Sequence, residues 1–243
     1  MAPPPDMIGD AGKAVEAFGS GKPVMIFDSA FREGETDLLW PATSATPEII
    51  RKLRKDCGGL LFLAIGDEVG EIFGLPWLQE LHSNEELVKL NPVLGHLVTN
   101  DLQYDTRSAF TLSLNHRETY TGITDKDRAL TTKRFGELAG EVLRGDISNS
   151  DAIYALGSEF RTPGHIPVCR ESPGGLKSRQ GHTELAVAIA RLAGVVPCTI
   201  GAEMLEPDGD GALSLENAMN YAKINGIPMV TGDEISSAFD EKD

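Results

Sequence analysis

Two short segments, about 150 positions apart, carry side chains that core packing does not explain. The first reads Arg32-Glu33-Gly34-Glu35-Thr36-Asp37, and the second Arg179-Gln180-Gly181-His182-Thr183-Glu184. Each sets an arginine beside potential metal ligands and acid/base groups. Together they offer carboxylate oxygen and imidazole to a divalent cation, and guanidinium to a phosphate or carboxylate.

In the first segment Glu33, Glu35 and Asp37 share one face if the chain is extended there. Three like charges so close need a cation or an arginine beside them, or one carboxyl must stay protonated. Taken alone, the segment fits a solvated acidic turn as well as a cation site. The second segment tilts the balance. His182 and Thr183 follow Gly181 at the start of an apolar helix, where free N–H groups and a partial positive charge suit phosphate. Arg179 adds a charge-assisted contact, and a neutral His182 beside it can ligate metal. A helix that is merely capped leaves this clustering unexplained. Two more places fit. Glu203 follows the mostly apolar run Val195–Ala202, where burial would raise a carboxyl toward the range of a general base; a surface glutamate is the plain alternative. Thr121-Gly122-Ile123-Thr124 offers a hydroxyl and a helix cap, or an ordinary turn.

Elements of both types alternate around these residues. A helix is expected over Gly12–Phe18 with Asp10 as N-cap, then a strand over Pro23–Phe27 and a return strand over Leu38–Ala42. Thr46 caps a helix with Pro47 in its first position, ending by Gly58. Strands are expected over Leu60–Ile65, Phe110–Leu114, His165–Cys169, Val195–Ala202 and Pro228–Thr231. Helices are expected from Thr124 to Leu143, weakened by Gly136 and Gly140, from Glu184 to Leu192, and from Leu215 to Asn225 closed by Gly226. Between Glu68 and Asn100 only short helical pieces fit, broken by Pro76 and Pro92. Strict βαβ alternation fails in that middle third, so the expected architecture is one α+β domain with a mixed sheet.

The chain has 243 residues, 41% hydrophobic and 24% charged, enough for a substantial core. Its formal charge of −15 opposes binding to nucleic acid or anionic membrane, so an anionic substrate needs a local basic pocket. Three cysteines without a CxxC argue against a disulfide framework or zinc site. No apolar run approaches a membrane span, and the Pro-rich N-terminus lacks a signal peptide's regions, so a cytoplasmic protein is expected. Several motifs do not carry chemistry. Gly12-Lys13 and Gly21-Lys22 lack the Ser/Thr of a phosphate loop, and Glu206–Asn217 has the wrong end residues for a calcium loop. His82, His96 and His116 stand alone, and Cys169 and Cys198 lie in apolar strands.

Six segments stand in a telling order: FDSAFREGETDL, RKDCGGL, TGITDKDRALT, FRTPGH, SRQGHTELAVAIARLAG and AEMLEPDGDG. On these the chain resembles the 3,4-dihydroxy-2-butanone 4-phosphate synthases of riboflavin biosynthesis, from about Lys13 to Ile235. The resemblance implies a lyase that converts D-ribulose 5-phosphate to L-3,4-dihydroxy-2-butanone 4-phosphate and formate with Mg²⁺ or Mn²⁺. The steps are enolisation, dehydration, skeletal rearrangement and loss of one carbon. It implies Glu33 and His182 as metal ligands, and Arg32 and Asp37 as contacts to the sugar. Arg179, Gln180, Gly181, His182 and Thr183 are implied to hold the phosphate and adjacent hydroxyls. Glu203, His165, Glu35 and Asp37 are implied as acid/base positions, with Thr121 in the same pocket. The implied fold is a single domain over residues 13–243, a mixed twisted sheet flanked by helices on both faces, after a flexible tail over 1–12. The implied assembly is a homodimer with the active site near the interface. Ala30 and Phe31 stand where many members carry acids, and Gln180 where many carry Gly. Cys57 borders the implied pocket, as a reactive thiol or a packed one.

Overall fold

Short apolar runs build the sheet, and most are buried from end to end, as strands covered on both faces must be. A computed structural model describes residues 11–98, 101–103 and 105–240. The order is α1 (Ala11–Gly19), β1 (Val24–Phe27), β2 (Thr36–Pro41), α2 (Pro47–Asp56), β3 (Phe62–Ile65), α3 (Asp67–Ile72), α4 (Leu78–His82), α5 (Glu85–Leu90) and α6 (Leu94–Leu97). It continues with β4 (Phe110–His116), α7 (Asp125–Leu143), α8 (Asn149–Glu159), β5 (Phe160–Arg170), α9 (His182–Leu192), β6 (Cys198–Glu203), α10 (Leu215–Asn225), β7 (Met229–Thr231) and α11 (Gly232–Asp240). Asp10 and residues 1–10 of the expected tail lie outside the described residues, while Ala11 and Gly12 already belong to α1.

The strands form one mixed sheet in the order β4-β5-β3-β6-β2-β1-β7. β3 pairs with β5, and β1 with β7, in parallel; the other pairs are antiparallel. Alternate residues of each strand enter two separate cores. Met25, Leu38, Leu63 and Ile200 face one core, closed by α2, α7, α8 and α10. Ile26, Leu39, Phe62 and Val230 face the other, closed by α1, α9 and α11. The result is three layers, helix–sheet–helix, as the resemblance implies.

Local chemistry sets the helix ends. The Thr46 hydroxyl accepts from the Ile49 N–H with Pro47 at the first turn, and Thr124 does the same for Asp127. Gly226 closes α10 in the left-handed region at φ 62°. α7 runs unbroken through Gly136 and Gly140, because its buried face is otherwise continuous. Two helices have no counterpart in the sequence reading. α8 buries only Ala152 and Leu156, too sparse a stripe to stand out, and α11 is short. β5 starts at Phe160 rather than His165, since its first half carries polar residues outside the core.

Leu63 lies on the interior strand β3 and is buried in the larger core. Leu63→Ala is expected to cost ~2–5 kcal/mol. Urea unfolding should show a lower midpoint with an unchanged slope.

Candidate active site

One buried aspartate organises the acidic loop. Asp28 directly follows β1, and its carboxylate accepts from the backbone N–H groups of Glu33 and Glu35, each at 3.0 Å. The Asp28 N–H in turn donates to the Glu35 carbonyl at 3.1 Å. The chain can wrap so tightly because Gly34 takes φ 69°. The loop is therefore curled, not extended as the shared-face argument assumed, and Asp37 sits two residues further on in β2. The acids converge all the same, on His182.

His182 opens α9 and is nearly buried. Its Nδ1 lies 2.9 Å from Asp37 Oδ2, and its Nε2 lies 3.6 Å from both Asp28 Oδ2 and Glu33 Oε2. Burial opposes charge on the ring, but Asp37, then Asp28 and Glu33, outweigh it and push the imidazole up to about 10. The Asp37 contact is one of charge, off the axis of a hydrogen bond. Neither ring nitrogen and neither Asp37 oxygen has a hydrogen-bond partner among the described residues. Glu33, Glu35 and His182 can each turn one ligand atom to within 4.8 Å of the others. Oxygen and imidazole donors around unsatisfied buried polar atoms fit a hard divalent cation, and binding one would displace the proton from His182. Glu35 is a third candidate ligand beside the expected Glu33 and His182. Burial raises its pKa, and Glu33, Asp37 and Asp28 add to the rise against His182.

Glu203 ends β6 directly opposite Asp37 of β2. Its Oε2 accepts from the Leu60 N–H at 2.7 Å. Burial, then the Asp37 carboxylate, raise its pKa from 4.5 to about 7. This is the acid at a buried strand end that the residue pattern suggested, its own side chain half-buried.

A pair of arginines adjoins. Arg179 Nη1 donates to buried Glu184 at 2.5 Å, and Nη2 donates to Asp105 Oδ2 at 2.7 Å. Arg32 reaches the same Asp105 oxygen at 3.4 Å. Glu33, Asp105, Arg179, His182, Thr183 and Glu203 line one open cleft of about 240 Å³. That is below the ~300–1,000 Å³ of drug-sized pockets, a size for a small substrate. Gln180 lines an adjoining recess with Arg32, Ser178 and Arg179.

Thr121 and His165 are not brought there. They lie beside the edge strand β4 and line neither the cleft nor the recess. Asp127, in the first turn of α7, holds the Thr121–Gly122 turn by accepting from the N–H groups of Tyr120, Thr121 and Gly122. Cys57 is packed: burial pushes its thiol well above the usual range. Glu206 is engaged by Ser214 and Asn217, as a turn acid rather than a calcium ligand. Sequence reasoning assigned no part to Asp28 or Asp105. Asp28 carried one signal, an acid at the exit of an apolar strand; Asp105 carried none.

A family model described as 3,4-dihydroxy-2-butanone 4-phosphate synthase matches residues 12–238. The chain belongs to that family. A Methanosarcina mazei protein named 3,4-dihydroxy-2-butanone 4-phosphate synthase is 42% identical over 229 residues, covering 93% of this chain and 90% of the relative. Membership makes this chain a lyase of riboflavin biosynthesis. A cation-free synthase crystal structure superposes at TM-score 0.72 and 24% identity, covering 96% of this chain and 98% of the other. Another, described as in complex with two magnesium ions, gives 0.71 at 24% identity over 94% and 95%. At such identity the likeness bears on the fold, and it agrees with the mixed three-layer sheet. No helix among the described residues is long and apolar enough to cross a membrane.

The raised pKa of Glu203 has a signed consequence. Between pH 4.5 and about 7 the native carboxyl keeps a proton that the unfolded chain has lost. Its ionisation therefore destabilises the fold as pH rises through that window. In metal-free buffer, Glu203→Gln should gain stability relative to the parent from pH 4.5 to 7 and level off above. Urea titrations across that range check it, and a pH-independent difference would refute the shift.

Proposed function

We propose that the chain converts D-ribulose 5-phosphate to L-3,4-dihydroxy-2-butanone 4-phosphate and formate, with Mg²⁺ or Mn²⁺, in a homodimer. One observation carries the reading: Glu33 and His182 of the acid–imidazole cluster line the same small cleft as Arg179, and Arg32 lines the recess beside it. A sugar phosphate carries the two matching groups, vicinal oxygens for a cation and a phosphate for guanidinium.

Arg179 and the free N–H groups at the start of α9 hold the phosphate, with Thr183 and Gln180 beside it. Anchoring there supplies binding energy remote from the bonds that change, and so orients the sugar. Arg32 and Asp37 hold sugar hydroxyls. Glu33 and His182, with Glu35 adjacent, are the ligands we assign to the cation. A bound Mg²⁺ or Mn²⁺ supplies Lewis-acid stabilisation of negative charge on the sugar oxygens. Glu203, with a pKa of about 7, is divided between acid and base near neutrality. It suits a sequence in which enolisation takes a proton and dehydration returns one.

His165 and Thr121 enter from a second copy in this reading. Both lie away from the cleft of their own chain, and Thr121 stands between exposed Tyr120 and Ile123 in the sequence. Phe31 in the acidic loop is 93% exposed, an apolar ring next to the metal ligands. A two-fold pairing that covers Phe31 with the β4–β5 end would bring His165 and Thr121 of the partner to the acids.

Purified protein with Mg²⁺ and ribulose 5-phosphate should release formate, and Glu33→Ala and His182→Ala should each abolish release while circular dichroism stays unchanged. Near-parental turnover in either variant would sink the metal assignment. Subunit mixing tests the shared site. Glu33→Ala and His165→Ala proteins, each inactive alone, should recover roughly a quarter of parental activity after joint refolding, from one intact site per mixed dimer. No recovery would place both residues' work within one chain.

A further inference from the structure

Away from the cleft, the buried Asn115 of β4 holds His165 at two points. Its Oδ1 accepts from the His165 backbone N–H at 2.8 Å. That bond fixes which way round the amide sits, because only the oxygen can accept it. Nδ2 is then the atom that faces His165 Nδ1, at 3.1 Å. A donor at that place makes Nδ1 the acceptor, so the neutral ring carries its proton on Nε2. Oδ1 also lies 3.3 Å from Nδ1. When the ring takes a second proton, the new Nδ1–H finds Oδ1 without a turn of either group. One amide thus serves both protonation states.

The other flank of the same amide is packed. Gly122 has φ 95°, and a Cβ there would collide with the Asn115 carboxamide. Gly122 belongs to the turn that Asp127 holds by its backbone, and that turn carries Thr121. Asn115 therefore sits between Thr121 and His165, the two residues set apart from the cleft. At 4% exposed it is buried there.

We propose that Asn115 is a positioning residue for the reaction: it sets His165 in the Nε2–H form, with Nε2 the working nitrogen, and locks it to the Thr121 turn. The inference rests on the reading of His165 as an acid/base group, and its test is independent of that reading. Asn115→Asp is isosteric. It keeps the acceptor for the backbone N–H but replaces the donor at Nδ1 with another acceptor. The neutral ring should then move its proton to Nδ1.

Nitrogen-15 NMR of the ring, assigned with a His165→Asn control, reads the tautomer directly. The expected result is Nε2–H in the parent and Nδ1–H in Asn115→Asp, with the His165 backbone amide signal little moved. Formate release should fall at least ~10-fold in kcat, the lower range of a misplaced acid/base group, while KM changes less than ~3-fold. Asn115→Ala, which offers neither donor nor acceptor, should show a mixture of tautomers and an intermediate loss. Nδ1–H in the parent, or an unchanged Nε2–H in Asn115→Asp, overturns the proposal. A tautomer switch with full turnover overturns its catalytic part and the role of His165 together. A parent that releases no formate removes the reading of function, while the tautomer still decides what Asn115 does.

Discussion

Four carboxylates meet one imidazole at the end of this sheet, and charge balance there governs the rest of the site. Asp28, Glu33, Glu35 and Asp37 cannot share so small a volume as anions unless a cation sits among them. Without metal, His182 is that cation, and its strongly raised pKa measures the pull of the acids. A dication does the same work with more charge. The acid cluster and the nearly buried histidine are thus one electrostatic requirement seen from two sides.

The fold exists to bring those charges to one place. β1 delivers Asp28 and its loop, β2 delivers Asp37, β6 sets Glu203 across from Asp37, and α9 begins at His182. Neighbouring strands hold these side chains at sheet spacing, while α9 is pinned from behind by its nearly all-apolar body. Two cores, one on each face, keep the strand ends from yielding to the repulsion they carry. The arginines close the pattern from the other side, in contact with Asp105 and Glu184 rather than with Glu33 alone.

Much of this could be read from residues because the signals were local. The Thr46-Pro47 start, the Thr124 cap and the Gly226 stop each depend on a few neighbouring residues, and each stands where the pattern put it. The Arg179–Thr183 cluster could be read for the same reason. What escaped depends on contacts distant in sequence. Asp28 is an acid after a strand until its carboxylate is seen to hold the loop. Asp105 lies in a stretch without periodicity, and only the tertiary fold carries it to Arg32 and Arg179. α8 was missed because two buried residues make no visible stripe. His165 and Thr121 could be picked out by their motifs, but no linear pattern states that they lie apart from the cleft.

Asp105 gives the arginine pair a character of its own. The guanidiniums of Arg32 and Arg179 already share a carboxylate, one that the chain itself provides. An anion that takes both head-on enters by exchange, carboxylate out and ligand in, and not by filling an empty charge. The affinity it shows is then a difference between two ion pairs, with few bulk counterions to displace. A weak anion, such as chloride, competes poorly against a tethered acid whose effective concentration is high. A phosphate, with more charge and more oxygens to offer, can win. The tethered carboxylate thus sets the threshold that any incoming anion must exceed at this arginine pair.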